Sequence, residues 1–298
     1  MKKYILLVSL ALGLGSAVQA QDDLLNMLQN ENPDKPMPVY ATFKSTRVVN
    51  LQSNETMKAR HLDFRIQHRF GPVKNGAYDL FGLDGAVLRL GLEYGITNKL
   101  MVGVGRSTTG KTYDGFAKYQ LLQQKKNGTP IGITLFGSTA ISTLEWADKT
   151  RDNLFSSRLS YCAQAIFTRK FNDHISLIVS PTMVHYNLVP DKATPNDIFA
   201  VGLGGSFKIS RSTRFNIEYI PRLNGRDQPK TGSGDPTYYD AIAFGFDIET
   251  GGHVFQLHFT NSTGLVEQQF VARNSNPIAF NELRFGFNIS RTFSFDRH

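Results

Sequence analysis

The chain has 298 residues, a formal net charge of +8 and one cysteine, Cys162. A lone cysteine excludes an intramolecular disulfide framework, and basic residues scattered without a run of five or six exclude a nucleic-acid patch. With 22 Phe and 11 Tyr against one Trp, and no apolar run of helical membrane length after residue 20, the composition suits strands with aromatic girdles rather than spanning helices.

Met1, Lys2 and Lys3 precede the apolar run Tyr4 to Leu14 and the small-residue stretch 15–20. A basic start, a short apolar core and Val18 and Ala20 before Gln21 predict a secretory signal over 1–20. No Cys follows it, which argues against a lipid anchor. Residues 21–58 read as an N-terminal extension, periplasmic or folded into a lumen. Leu24, Leu25, Met27 and Leu28 make at best a short amphipathic helix, and the Pro-rich stretch 32–38 is a stiff linker. Val39 to Val49 alternates weakly and has a polar middle, Lys44-Ser45-Thr46-Arg47.

From His61 the pattern is regular. Leu62, Phe64, Ile66 and Phe70 alternate with Asp63, Arg65, Gln67 and Arg69, and Leu88, Leu90, Leu92 and Tyr94 with Arg89, Gly91 and Glu93. Further strands are expected at Leu100–Gly105, Thr112–Leu121, Ile131–Thr143, Phe155–Phe167, Ile175–Tyr186, Ile198–Ile209, Arg214–Arg222, Tyr239–Ile248, Val254–Thr260 and Asn281–Phe295. The last of these keeps its alternation for about fifteen residues, against the ~9–11 that cross a bilayer. The count is twelve, with fourteen as the alternative.

Connections alternate between short turns (Gly95–Lys99, Gln123–Pro130, Lys170–His174, Ser210–Thr213, Glu249–Gly252) and longer loops (Gly71–Gly85, Leu144–Asn153, Asn187–Asn196, Leu223–Pro236, Asn261–Ala279), with Arg106–Lys111 the one brief member of the second set. That asymmetry is the mark of an outer-membrane barrel, with turns in the periplasm and loops outside. A soluble barrel or sandwich would turn the same apolar face inward. Loop asymmetry and the small residues on the polar face favour the membrane. The expected fold is all-β, a closed antiparallel up-and-down transmembrane β-barrel over 59–298 in the bacterial outer membrane. Asn281–Phe295 closes it against His61–Phe70, and Arg291, on the lipid parity, belongs near the periplasmic interface.

With the apolar face on lipid, the lumen receives Arg65, Arg69, Arg89, Lys118, Arg158, Lys208, Arg214, Arg222 and Arg284 against Asp63, Glu93, Asp114, Glu218 and Asp247, together with His258. These either pair across a narrow lumen or make an electropositive pore for anionic or polar solutes. Cys162 shares the lumen parity and reads as a small packed residue. Gly105 to Thr112 matches the phosphate-loop pattern, yet a strand rather than a helix follows, so it reads as a loop tip and no nucleotide is expected. His258, Asn261 and Ser262 carry the residue types of a lipid hydrolase, but His258 lies on the inward parity, away from lipid. The histidines show no metal spacing, and no metal or other cofactor is expected.

Several stretches resemble a family of outer-membrane β-barrels of Bacteroidota catalogued as a domain of unknown function: 43–47, 62–71, 94–97, 111–116, 187–190, 246–261 and 285–291. The resemblance implies a barrel and an outer-membrane location and brings no activity or catalytic residue. Three functions stay open: a narrow channel for small polar or anionic solutes, a non-conducting barrel that binds a partner, and a lipid hydrolase. The partners expected are outer-membrane lipid, the assembly machinery, and a periplasmic protein acting through 21–58.

Overall fold

A computed structural model describes residues 35–296 apart from 147, 191, 193 and 226–237. The expected signal and the start of the extension lie outside the described residues. The strands are β1 (Met37–Pro38), β2 (His61–Pro72), β3 (Ala86–Gly95), β4 (Leu100–Ser107), β5 (Thr112–Leu122), β6 (Lys125–Lys126), β7 (Gly132–Ser142), β8 (Leu159–Lys170), β9 (Ile175–Tyr186), β10 (Asp197–Lys208), β11 (Thr213–Ile220), β12 (Ala241–Thr250), β13 (His253–Thr260) and β14 (Arg284–Ser294), with a short helix α1 (Glu267–Ala272) between the last two.

Twelve strands close into one antiparallel barrel, each pairing with its neighbour in the chain and β14 returning to β2. The two-residue strands β1 and β6 form a separate small sheet, so the count of fourteen does not apply to the barrel. Period-two alternation explains the wall. Leu90, Leu92, Val104, Leu177, Val179, Phe199, Leu203 and Leu257 face outward and are exposed, while Asp63, Arg65, Arg89, Glu93 and Lys118 face inward and are buried. A spanning wall of this kind satisfies every main-chain group by pairing with its neighbours, which hydrocarbon demands.

Two strands start three or more residues later than the alternation suggests. Phe155–Arg158 forms a 3-10 turn before β8. The Arg158 guanidinium reaches back to the carbonyls of Ser142 and Leu144, which pulls the chain out of the sheet. Phe280–Glu282 likewise forms a 3-10 turn before β14, with Glu282 bridging to Lys74 at 3.3 Å. The register at the seam shifts between Arg284 and Gly286, opposite Pro72, which has no N–H to give the ladder. Outside the seam, Phe287 stacks on His68 at 4.9 Å and Phe285 on Phe70 at 5.7 Å. Arg291 stands opposite His253, the first residue after the 251–252 turn, and so sits at the turn end of the barrel as expected.

Residues 39–49 do not form a wall strand. Residues 42–54 lie inside the barrel, almost all of them buried. The chain reverses at 48–51, where the Val48 amide donates to the Leu51 carbonyl at 2.8 Å and the Ser53 amide to the Thr46 carbonyl at 2.9 Å. It then returns to the 96–99 turn, where Asn98 accepts from the Ala59 amide. The closing register is open to a direct check. In a Cys162→Ser background, Leu62→Cys with Phe293→Cys, which are register partners, should cross-link on oxidation and shift gel mobility. Val39→Cys with Phe293→Cys should not, and the reverse outcome would refute this seam.

Candidate functional site

The inward face has two unlike halves. From β11 through β14 and on to β5 it carries Arg214, Glu218, Asp247, His258, Asp63, Arg65, Arg69, Arg89, Glu93, Asp114 and Lys118, all buried except the partly exposed Asp114. Between the ends of β7 to β10 the inward positions are small, hydroxyl, amide or apolar, among them Phe136, Cys162, Ile166, Ile178, Val184 and Ile198. Simple alternation misses this apolar half, because it labels inward positions polar. Arg158, Lys208 and Arg284 stand at the rims, partly exposed. Arg222 lies just beyond β11 and donates to the Ala272 carbonyl at 2.7 Å.

Some wall charges pair along the wall. Arg89 forks onto Asp114, the strongest geometry available to a guanidinium and a carboxylate. Arg65 meets Asp63 at 3.2 Å and Glu93 at 3.6 Å. Asp247 accepts from Gln256 at 2.9 Å.

The others hold the 42–54 hairpin. Glu218 accepts the amides of Val49, Asn50 and Leu51 at 3.2, 2.8 and 3.0 Å, a carboxylate closed over a turn. Lys118 places its Nζ on the carbonyls of Thr46, Ser53 and Glu55 at 2.8, 3.2 and 3.2 Å, using its three donors. Arg65 and Glu93 share Thr46, whose hydroxyl accepts from the first at 2.8 Å and donates to the second at 2.7 Å. Gln256 donates to the Val48 carbonyl at 2.9 Å. Against the other half of the wall, Phe43, Val48 and Leu51 join the apolar cluster. Gly202 leaves room for Leu51, since a Cβ there would lie 2.5 Å from its Cδ2.

The outer loop 261–283 folds inward to meet the hairpin. Glu267 on α1 accepts from Arg47 at 2.7 Å and from Gln52 at 2.8 Å, with both members of the ion pair buried. Arg69 ties Asn50, at 2.7 Å, to the Ser262 and Gly264 carbonyls. Phe270, Val271 and Ala272 complete the apolar cluster. The sequence reading singled out neither Arg47 nor Glu267. The signal was an external loop carrying Leu265, Val266, Phe270 and Val271, too apolar to lie in water.

Beside this floor Leu144, Glu145, Trp146, Ser157 and Arg158 line the outer mouth. Asp148 accepts from the Thr150 amide and hydroxyl at 2.8 and 2.6 Å, bonds that hold its carboxyl below the ordinary range. Trp146 lies against Arg158, 4.1 Å from ring centre to guanidinium carbon. Residues 105–112 form a strand end, a 3-10 turn and the start of β5, with no helix after them. His258 is buried in the lumen. Neither of its ring nitrogens has a partner, nor does the Ser262 hydroxyl, so the two residues are not hydrogen-bonded to each other. Among the described residues no cluster of His, Cys, Asp and Glu could hold a metal ion.

The architecture is that of a bacterial outer-membrane barrel. Among solved structures the chain is similar to an outer-membrane channel from Pseudomonas putida F1, at 13% identity over 80% of this chain and 98% of that one, TM-score 0.49. It is also similar to the NanC porin (11%, 79% and 100%, 0.46) and the KdgM porin (9%, 79% and 99%, 0.45). Likenesses at this level carry nothing about function. The sequence matches none of the curated proteins. The model of the family described as a membrane bound beta barrel domain (DUF5777) matches residues 43–293, and the chain belongs to that family.

Proposed function

We propose that the protein is an outer-membrane channel for small polar or anionic solutes, held shut by its own N-terminal hairpin. The observation that carries this reading is the way the wall charges are spent. Glu218 and Lys118 bind the hairpin's main chain, not the opposite wall, so the charged half of the lumen is organised around an insert. Without residues 42–54 the inward arc would be wet, its five cations matched by five carboxylates, and a preference for anions would come from Arg158, Lys208, Arg222 and Arg284 toward the rims. The hairpin enters from the turn end, where β1 pairs with β6.

Release of the hairpin without help is rare. Exposing Phe43, Val48 and Leu51 costs roughly 5–9 kcal/mol at about 1.5–3 per side chain, an open fraction of roughly one in several thousand to one in a few million. Opening therefore needs work done on residues 21–40 by a periplasmic partner. The remaining partners in this reading are outer-membrane lipid and the assembly machinery that would read the aromatic end of β14. The resemblance noted above supports an origin in Bacteroidota. No catalytic role is assigned, because His258 is walled off from any acyl chain. A second reading, a non-conducting barrel that binds a partner, is favoured by the apolar cluster that packs the hairpin against one half of the lumen.

In planar bilayers the full mature chain should be almost silent, and deletion of residues 21–58 should give steady, anion-preferring conductance. Glu218→Ala, which loosens the turn without shortening the chain, should give intermittent openings. If both variants fold to heat-modifiable barrels and stay silent, the channel reading fails and the binding reading replaces it. A second expectation concerns the pair joining hairpin and loop. Arg47→Met or Glu267→Leu alone strands a buried charge and should lower stability by about 3–5 kcal/mol, whereas the double variant should recover most of that. Urea unfolding in micelles measures both.

A further inference from the structure

The outer mouth, where Gln268 and Gln269 of α1 lie in the lining, holds a cavity of about 560 Å³, within the range of small-molecule sites. Two guanidiniums line it, and each is fixed by carbonyl oxygens and an aromatic ring. Arg158 donates to Ser142 and Leu144 and lies over Trp146. Arg273 donates to the Leu188 carbonyl at 3.1 Å and lies over Tyr186, 3.6 Å from the ring centre. Neither has a carboxylate within ion-pair distance among the described residues. The one acid in the lining, Glu145, is paired with Lys149 at 2.8 Å.

Two oriented cations in one cavity, without counter-charges among the described residues, are a prepared anion site. Their planar N–H edges suit a carboxylate, and orientation by neutral carbonyls leaves their charge uncompensated. The rest of the lining sets the kind of anion. Trp146 and Tyr186 each already carry a guanidinium on one face, which leaves little platform for a stacked base or aromatic ligand. Ser157 and Ser275 contribute hydroxyls that can donate and accept, and Ser142, whose hydroxyl donates to the Gly110 carbonyl at 3.1 Å, can still accept, a set that suits a polyol. We infer that this vestibule binds a hydroxyl-rich carboxylate, a sugar acid of one or two rings, presented from outside the cell. The site lies above the hairpin, so it stands whether or not the barrel conducts.

Trp146 is the only tryptophan in the chain and lines the cavity, so its emission reports on occupancy. Glucuronate titrated into the full mature chain in micelles should give a saturable change in that emission. Glucose should bind about tenfold or more weakly, as should inorganic phosphate, which lacks the ring. Arg273→Gln, at an exposed position away from the lumen contacts, should weaken glucuronate by about ten- to a hundredfold, the loss expected for a charge-assisted pair. Arg273→Lys should recover only part of it. Glucose binding as tightly as glucuronate, phosphate binding as tightly, an unaffected Arg273→Gln variant, or no saturable signal by fluorescence and calorimetry would each overturn the inference. Bilayer silence of the hairpin deletion would leave it standing, so its failure and that of the channel reading are distinguishable.

Discussion

A charge buried in the lumen of a barrel must be paired, hydrogen-bonded or wet, because removing it from water without compensation costs several kcal/mol. In this barrel the compensation comes largely from one stretch of main chain. Glu218 is satisfied by three consecutive amides, and Lys118 by three carbonyls of the same hairpin. The wall is thus not self-sufficient: these two inward charges would face an unfilled space without residues 42–54. Every other feature of the interior follows from that dependence, including the apolar cluster that packs the far side of the hairpin and the loop that folds down to cap it.

The two halves of the lumen divide the labour. Hydrogen bonds from the charged half fix the hairpin's register, since each acceptor or donor meets a particular main-chain atom. Contacts from Phe136, Ile166 and Ile178 add adhesion without direction. Arg69 and the Arg47–Glu267 pair carry the same organisation toward the outer mouth, so that the floor of the vestibule is coupled to the hairpin. The hairpin and the floor of the mouth are thus one connected body.

Much of the fold was legible in the sequence. Alternation over 61–70 and 175–186 and the contrast between short turns and long loops depend on local pattern, and the strands stand where that pattern puts them. The misplaced starts at 155 and 281 are also local, but they arise from a side chain bonding to a distant carbonyl and from a bridge between two loops. The interior was less legible. Period two assigns a residue to a face and expects that face to be polar, so it gave no sign that Phe136 and Ile166 form an apolar half of the lumen. The fifteen residues expected inside include the grips, yet what they hold, Thr46 and Asn50, is separated from them in the chain. Asn50 and Glu218, for example, are 168 residues apart.

That separation bears on how the protein is made. Residues 42–54 emerge before any wall strand, and β14, which zips against β2 to shut the seam, emerges last. Glu218 on β11 and Gln256 on β13 hold the same turn that Arg69 on β2 holds from the other side of the seam. Leu51 sits so close to Gly202 that no side chain could come between them. A finished cylinder offers little room to thread such an insert. The hairpin is better placed as a mandrel, a form around which the staves are gathered before the last one is set.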